Sequence, residues 1–229
     1  MAIPNLDKVG KDFQKWWNLS GEWVEPPNLR RGGESGVQRI ITPQGQLAYS
    51  KKQVHHIYRS LRYPFGRPTV LREYDAFKAL DALAIPIPQL LYCGVAKDGK
   101  ALFITKALVG FIDLDHWLTL YRAQYPTSVV EQLLTTLAQY TATMHLNRYQ
   151  HGCLYGKHIF VKVIDDASRT IIDVALLDLE KVRRRSRASK SALHDIPKLK
   201  RHSVLTSQEW QYFINCYQAA FGNKLPSLQ

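Results

Sequence analysis

The chain has 229 residues, enough for one large domain or for two smaller lobes that share a cleft. Its hydrophobic content of 45% excludes general disorder, because a chain of this composition can bury a substantial core. The charge balance is strongly basic, since 31 Lys and Arg against 19 Asp and Glu give a formal net charge of +12. Such an excess favours polyanionic partners such as nucleic acid, anionic lipid or phosphorylated sugars, without selecting among them.

Three features predict a cytoplasmic protein without a membrane-spanning segment. The residues from Met1 to Asp7 lack the basic and then apolar order of a signal peptide. The most apolar stretch contains Pro86 and Pro88 and falls short of the roughly 18 residues that a transmembrane helix needs. The three cysteines are far apart and show neither a metal-binding spacing nor a disulfide framework, which suits a reducing compartment.

The N-terminal region predicts a short helix and then the start of a sheet. Three aromatic side chains share one face of a helix predicted over residues 6–18, namely Phe13, Trp16 and Trp17. We interpret this helix as docking on the edge of a core rather than as a membrane anchor. A segment with three glycines, residues 31–36, then leads to strands predicted at 37–41 and 47–54. Backbone N–H groups of such a segment can approach a phosphate, but an ordinary turn is the preferred interpretation of this segment taken alone.

A helix predicted to start at Pro68-Thr69 interrupts the strands. Its apolar positions recur at near-helical spacing: Leu71, Tyr74, Phe77, Leu80 and Leu83. Glu73 lies beside this apolar stripe, and a carboxylate there needs a cationic partner because an unpaired buried charge is costly. An Asp-Gly turn then predicts a hairpin of the strands 90–96 and 101–106.

From about residue 113 the apolar spacing becomes helical. A helix predicted near residues 114–121 precedes the strongest helical pattern in the chain, which Pro126-Thr127-Ser128 is expected to cap. A last helix is predicted over residues 205–221. The change from strands to helices near residues 108–110 marks the expected boundary between two lobes.

Residues 150–161 form the stretch around which the rest of the chain is organised. They open with polar residues and glycines and continue as a short apolar strand, and a second apolar strand over 171–177 delivers Asp178 at its end. A long helix, a polar loop, two strands and a following acid is the layout of a protein-kinase-like catalytic core. In that layout the loop carries the chemistry and the acid holds Mg²⁺.

The element order therefore predicts an α+β, bilobal, protein-kinase-like fold. The N-terminal lobe, residues 1–108, would contain an antiparallel sheet with one helix, preceded by the short N-terminal helix. The C-terminal lobe, residues 109–229, would be minimal and mainly helical, and would carry the catalytic loop and Asp178.

Five short motifs, taken in their order and spacing, resemble the lipopolysaccharide kinase family of Gram-negative bacteria (the Kdo/WaaP kinases), and within it the InaA-type branch. The motifs are Tyr49–Gln53, Arg72–Tyr74, Leu102–Lys106, Leu146–Phe160 and Leu176–Arg184. Together they span most of the chain. The resemblance implies a kinase-like fold with ATP and Mg²⁺ bound in the cleft between the lobes.

The resemblance also implies roles for single residues. Lys51 matches the strand lysine that binds the α- and β-phosphates of ATP, and Glu73 matches the helix glutamate that pairs with it. Asp178 matches the aspartate that holds Mg²⁺, and His158 matches the second metal-ligand position. His151 matches the loop histidine that braces the active-site backbone. Each residue taken singly has an ordinary structural explanation, whereas the ordered set favours the kinase-like one.

Cys153 is the departure from the family pattern. Kinase-like loops of this type place an aspartate at that position, where it orients the attacking hydroxyl and accepts its proton. A free thiol is mostly protonated at neutral pH and is a poor proton acceptor. Two interpretations stay open: transfer persists without a strong base, or the fold binds nucleotide or anion and has lost efficient transfer.

Two arginine-rich segments are candidates for contact with an anionic group. One follows Asp178 directly and contains Arg183, Arg184, Arg185 and Arg187; the other, residues 55–68, contains Arg59, Arg62 and Arg67. Both segments could simply be solvated loops. As functional segments they would bind a phosphorylated sugar or an anionic membrane surface near the mouth of the cleft.

Three functional hypotheses result. The first is an ATP-dependent kinase for a lipopolysaccharide core sugar or related glycolipid, cytoplasmic and peripheral at the inner face of the inner membrane. The absence of an Ala-Pro-Glu motif after Asp178 favours such a compact acceptor over a protein. The second is a catalytically weak, kinase-like binding protein with a stress or regulatory role. The third, nucleic-acid binding, draws only on net charge and has no supporting motif.

Overall fold

The computed structural model of the chain describes residues 12–30, 32–166, 169–223 and 225. The α-helices and strands are α1 (Phe13–Trp17), β1 (Glu22–Arg30), β2 (Gly33–Ile41), β3 (Leu47–Val54), β4 (Ile57–Ser60), β5 (Tyr63–Pro68), α2 (Thr69–Asp81), β6 (Leu90–Val95), β7 (Lys100–Lys106), β8 (Ile112–Asp113), α3 (Leu114–Tyr121), α4 (Thr127–Leu146), β9 (Tyr149–Gln150), β10 (Ile159–Asp166), β11 (Arg169–Leu176), β12 (Arg183–Arg184), α5 (Ala188–Arg201) and α6 (Ser207–Phe221).

The chain divides into two compact units. The first comprises Met1–Ala79 and Pro88–Leu108, and the second comprises Leu80–Ile87 and Val109–Gln229. The end of α2 and the loop after it, predicted to belong to the N-terminal lobe, therefore group with the second unit. That these two units are the two lobes of a kinase stays a prediction.

A five-stranded antiparallel sheet in the order β1-β2-β3-β7-β6 forms the first unit. β3 lies at its centre, paired with β2 on one side and β7 on the other. The predicted hairpin of β6 and β7 is present. β1 contains Pro26 and Pro27 and was not predicted as a strand; it is an edge strand with register shifts, where prolines are tolerated because one side makes no ladder bonds.

The glycine-containing segment is mostly strand rather than loop. Gly32 lies in the turn between β1 and β2 with φ +76, whereas Gly33 and Gly36 lie within β2. A Cβ atom on Gly33 would stand 2.4 Å from the backbone of His55, and one on Gly36 would stand 2.7 Å from the ring of Trp23. Close packing against neighbouring segments thus accounts for these two glycines.

Helix α1 docks on the sheet, as predicted for the part of it that the structure describes. Phe13 is buried in a cluster with Ile40, Leu102 and Ile104, and the ring of Trp16 stacks on Tyr92 at 5.6 Å. Residues 6–11 of the predicted helix lie outside the described residues.

Residues 55–68 are a hairpin rather than a solvated loop. β4 and β5 pair as a separate two-stranded sheet, with Tyr58 opposite Arg67 and Ser60 opposite Tyr63. The hairpin leads directly into α2, whose first residue, Thr69, is fully buried and lies within hydrogen-bond distance of the carbonyl oxygen of His56. The start of α2 is therefore fixed by contacts to the hairpin.

The second unit is built on helices, as predicted. α4 packs against α6, and both contribute large, fully buried side chains. These are Leu133, Leu134, Leu137 and Met144 from α4, and Phe213 and Tyr217 from α6. The cap expected from Thr127 and Ser128 is absent: Pro126 occupies the N-cap position, and no side-chain capping bond forms there. None of the helices in the described residues combines the length and the apolar composition that crossing a membrane requires.

The antiparallel pair β10 and β11 positions the central loop of the chain. Its register places Ile159, the first residue of β10, opposite Leu176, the last residue of β11. The loop before β10 and the residues after β11 consequently meet at the same end of the pair. Helix α5, which contains Pro197 and was not predicted, packs against α4 and β9 beside this loop.

Candidate active site

The first unit contains the ion pair expected between Lys51 and Glu73. Lys51 lies on the central strand β3 and Glu73 on α2, and the Lys51 Nζ donates to the Glu73 Oε2 at 2.7 Å. The two side chains are only 18% and 8% exposed. Because removing one partner would leave a largely buried charge, such a pair fixes the position of α2 against the sheet.

His151 connects the central loop to the residue that precedes Asp178. Its ring is fully buried, and burial lowers the pKa of this imidazole, so that the ring is neutral. The Nδ1 atom accepts from the N–H of Cys153 at 3.3 Å, and the Nε2–H donates to the Leu177 carbonyl at 2.9 Å. One neutral ring thus uses both of its nitrogens to hold the loop beside the end of β11.

Asp178 and His158 lie next to each other at the end of the β10–β11 pair where the loop joins β10. Asp178 has a left-handed backbone conformation (φ +57, ψ +56), which is unusual for a residue other than glycine. The His158 Nδ1 donates to the Cys153 carbonyl at 2.8 Å and lies 3.6 Å from the Asp178 Oδ2. With Nδ1 used as a donor, the Nε2 of His158 carries the lone pair that a ligand or proton donor would meet.

The side chains of Asp178 and His158 offer donor atoms that fit a divalent cation when a phosphate binds the same cation. Mg²⁺ is usually held by one or two carboxylates together with substrate phosphates and water, and the partly exposed carboxylate of Asp178 can serve in this way. His158 is a less usual partner, because Mg²⁺ prefers oxygen ligands. Within the described residues there is no group of three or more His, Cys, Asp or Glu side chains that could hold a metal ion by themselves.

Cys153 is buried and already has a cationic partner. The Lys181 Nζ donates to its Sγ at 3.2 Å, and this hydrogen bond raises the pKa of Lys181 despite the opposing effect of burial. Burial is the main cause that raises the pKa of Tyr155 as well, and the interaction of its phenol with Cys153 adds to it. The position where the family pattern has a carboxylate therefore holds a thiol between an ammonium and a phenol.

Lys181 had no individual role in the sequence prediction. It is the third residue after Asp178 and ends the short 3₁₀ turn Leu179–Lys181, which brings its side chain back over the loop. Its position three residues after Asp178 could have indicated a role at the site. Because Lys181 begins a run of basic residues, the sequence prediction treated it only as part of that run.

Asp195 is a second residue of the candidate site that the sequence prediction missed. Its fully buried carboxylate accepts the backbone N–H groups of His151 at 2.5 Å and Gly152 at 3.0 Å. It also accepts from the Nε2 of His145 at 3.3 Å and from the Nδ1 of His194 at 2.9 Å. Burial alone would raise the pKa of Asp195, but these partners lower it to about 2.

A signal for Asp195 does exist in the sequence. Ala192, Ile196 and Leu199 form the buried face of α5, and Asp195 lies among them. A carboxylate on an apolar helical face requires buried donors, as Glu73 does in the first unit. Lys198 of the same helix donates to the Gly152 carbonyl at 2.9 Å, so that α5 contacts both the donors and an acceptor of the loop backbone.

The arginines after Asp178 lie beside the same loop. Arg183 and Arg184 form β12, which pairs with Gln150 and Tyr149, and both side chains are exposed. Arg185 is partly buried and Arg187 is exposed. In the first unit Arg67 is already bound to Asp75 at 2.6 Å. The expected gathering of both arginine groups into one anion site stays a prediction.

Comparison with known proteins bears on the family and the fold of the chain. The model of the lipopolysaccharide kinase (Kdo/WaaP) family matches residues 14–217. Protein InaA of Escherichia coli (strain K12) is 35% identical over 213 residues, which cover 91% of this chain and 96% of InaA. The solved structure of WaaP in complex with acyl carrier protein superposes with a TM-score of 0.69 at 16% identity, over 98% of this chain and 90% of that chain. The fold is therefore that of WaaP, and the protein-kinase-like prediction is confirmed.

The hydrogen bonds of Asp195 lead to a prediction for stability. Asp195→Ala should lower the free energy of unfolding by about 3–5 kcal/mol, because the donors around the carboxylate lose a buried charged acceptor. The exposed Asp81 provides the control, and Asp81→Asn should change stability by less than about 0.5 kcal/mol. Urea unfolding followed by circular dichroism measures both. Equal stability of Asp195→Ala and wild type would contradict this account.

The same carboxylate predicts a pH dependence. The folded-state pKa of Asp195, about 2, lies below the ordinary value of about 3.9. The stabilisation is therefore complete above about pH 5 and is lost as the pH falls through 4 towards 2. The stability difference between wild type and Asp195→Asn should shrink over that interval, as measured by urea unfolding at several pH values. A difference that does not change with pH would show that the charge is unimportant.

Proposed function

Because the chain belongs to the lipopolysaccharide kinase (Kdo/WaaP) family, we propose that it is an ATP- and Mg²⁺-dependent kinase that phosphorylates a lipopolysaccharide core sugar or a related glycolipid. The observation that carries the proposal is the largely buried ion pair of Lys51 and Glu73 at 2.7 Å. A glutamate that holds a lysine on the central strand of a kinase-like sheet prepares a cation for phosphate binding.

The proposed roles follow from the chemistry of each side chain. When bound, ATP supplies the phosphoryl group and Mg²⁺ neutralises the charge of its phosphates. Lys51 would bind the α- and β-phosphates, with Glu73 holding its ammonium in place. Asp178 would hold Mg²⁺, and His158, 3.6 Å from that carboxylate, would orient it or add a nitrogen ligand.

The loop residues would position the acceptor rather than react. His151 joins the loop to the Leu177 carbonyl, and Asp195 holds the amides of His151 and Gly152 from the other side. Cys153 is thereby fixed in position, with its carbonyl bound to His158. A rigid loop of this kind contributes by orientation, which is the main requirement for phosphoryl transfer.

Cys153 does not exclude catalysis in this proposal. Transfer through a loose transition state depends mainly on positioning and charge, and general-base assistance is worth about 10²–10⁴-fold. The Lys181 ammonium beside the thiol adds a cation near the acceptor position. We therefore expect slow but measurable transfer.

A catalytically weak nucleotide- or anion-binding protein is the second candidate. The observation in its favour is that the thiol of Cys153 replaces the expected proton acceptor and is already hydrogen-bonded by Lys181. Such a pseudokinase would bind nucleotide through Lys51 and Asp178 and act in a stress or regulatory role.

The proposed substrate also indicates where the protein works. A lipopolysaccharide core acceptor would place it at the cytoplasmic face of the inner membrane as a peripheral protein. The exposed Arg183, Arg184 and Arg187 lie in the same unit as the loop and would bind the phosphates of the core sugar or of anionic lipid.

Nucleotide binding tests the proposed roles of Lys51 and Asp178. Asp178→Asn should abolish the Mg²⁺-dependent part of ATP binding, and Lys51→Met should weaken ATP binding by about tenfold or more. Combining Lys51→Met with Glu73→Gln avoids leaving Glu73 buried and unpaired. Calorimetric titration with ATP, with and without Mg²⁺, measures these effects. Lys97→Met, at an exposed lysine, and Asp81→Asn are the controls. ATP binding unchanged in the Lys51 and Asp178 variants would refute the proposed site.

Phosphoryl transfer in a Cys153 series separates the two candidate functions. Cys153→Ala should retain most of the wild-type turnover, since the thiol is not an obligatory base. Cys153→Asp should maintain or raise turnover, because the Lys181 ammonium can accommodate the new carboxylate. Asp178→Asn should abolish turnover, and Cys216→Ala serves as a cysteine control. The measurement is ATP hydrolysis together with phosphate transfer to purified core oligosaccharide.

Each outcome of this series has a defined meaning. Loss of activity in a folded Cys153→Ala variant would make the thiol itself catalytic and would contradict the proposed mechanism. No turnover in wild type and none in Cys153→Asp, with ATP binding intact, would favour the pseudokinase.

The arginine run leads to a prediction for substrate binding. Replacing Arg183, Arg184 and Arg185 with Ser should weaken binding of a phosphorylated core sugar, and the loss should be largest at low salt. Binding is measured by titration at two ionic strengths. Lys97→Ser is the matched control for removal of exposed charge. If the affinities equal those of wild type at both ionic strengths, the arginine run does not bind the sugar and is only a solvated segment.

A further inference from the structure

The β4–β5 hairpin presents two apolar side chains fully to solvent. Leu61 in its turn is 105% exposed and Phe65 in β5 is 94% exposed, the two highest values among the large hydrophobic residues that the structure describes. Full exposure of two large apolar side chains on one hairpin is unfavourable in water and indicates a surface that meets an apolar phase or partner.

The hairpin that carries these two exposed side chains is held in place by side-chain contacts. The ring of Tyr63 packs edge-on against Tyr58 at 6.0 Å and under the guanidinium of Arg67 at 5.0 Å. Arg67 in turn bonds Asp75 of α2 at 2.6 Å. The hairpin is thus fastened to α2 through Tyr63 and Arg67, while Leu61 and Phe65 stay fully exposed.

The charged side chains of the hairpin itself are all basic. Arg59 and Arg62 are both exposed on the same hairpin, and residues 55–68 contain no Asp or Glu. An open depression at the base of the hairpin is lined by Tyr58, Arg59 and Arg72 among others. Apolar tips beside arginines and tyrosines match the boundary of an anionic bilayer, where apolar groups enter the acyl region and cations meet lipid phosphates.

We propose that the hairpin of residues 57–68 is a membrane-docking element that inserts Leu61 and Phe65 into an anionic bilayer. Arg59 and Arg62 pair with the lipid phosphates at the surface. An acidic protein fits this surface less well, because a stable protein interface buries about 1,200 Å² or more, whereas a bilayer accepts the insertion of isolated side chains. The inference does not depend on phosphoryl transfer.

Vesicle sedimentation of the full chain tests the proposal without ATP. Wild type should bind vesicles of phosphatidylcholine mixed with phosphatidylglycerol, and bind weakly to phosphatidylcholine alone. Leu61→Ser combined with Phe65→Ser should lower the partition coefficient by about tenfold or more at any salt concentration. Arg59→Ser combined with Arg62→Ser should lower it by about tenfold at low salt and little at high salt.

Matched variants on the second unit serve as controls. Val109 and Leu120 are exposed apolar residues, and Val109→Ser combined with Leu120→Ser should bind like wild type. Lys190→Ser combined with Arg201→Ser removes two exposed cations of the second unit and should reduce binding less than the hairpin pair does. Circular dichroism confirms that each variant is folded, and ATP binding shows that the proposed nucleotide site is unaffected.

Depth of insertion provides an independent readout. Phe65→Trp should add tryptophan fluorescence that is quenched by lipids brominated on their acyl chains, beyond the quenching of the wild-type tryptophans. Vesicle binding of the Leu61 and Phe65 variant equal to wild type would overturn the proposal. Absence of added quenching in Phe65→Trp would overturn it too. So would a hairpin variant that binds vesicles normally but loses binding to poly-glutamate, since the surface would then serve an acidic protein.

Discussion

The candidate active site depends on one buried carboxylate, that of Asp195. A polar loop can enter the interior of an apolar unit only if its backbone groups find partners, because a buried N–H without an acceptor is costly. Asp195 accepts the N–H groups of His151 and Gly152 and is itself bound by His145 and His194. Helices α4 and α5 and the loop are joined through this side chain, which thereby holds the backbone that leads into Cys153.

The proposed phosphoryl transfer at the loop would depend on charge more than on proton affinity. Lys181 lies against the thiol of Cys153, and Lys51 lies against Glu73 in the other unit. Phosphoryl transfer spreads negative charge over the transferring oxygens, so that held cations are more important to it than a strong base. The replacement of an aspartate by a thiol is therefore compatible with a working site and with a weakened one, and only turnover distinguishes these cases.

Turn residues and apolar spacing predicted much of the fold. The two elements that were missed share a cause, because each depends on its position in the assembled structure. The β6–β7 hairpin, α4 and α6 follow from turn chemistry and apolar spacing. Strand β1 was missed because Pro26 and Pro27 are tolerated only at a sheet edge, and edge position is a property of the assembled sheet. Helix α5 was missed because Pro197 and several lysines weaken its pattern, and packing against α4 stabilises it instead.

By itself, the sequence determined the family, most of the order of the elements and the pairing of Lys51 with Glu73. These rest on short motifs, on local periodicity and on the need of a buried carboxylate for a cation. Only the tertiary structure decided that Asp195 holds the loop, that Lys181 binds Cys153, and that Leu61 and Phe65 project outwards from a fastened hairpin. Each of these last three facts depends on which surfaces meet in space, and the spacing of residues along the chain does not specify that.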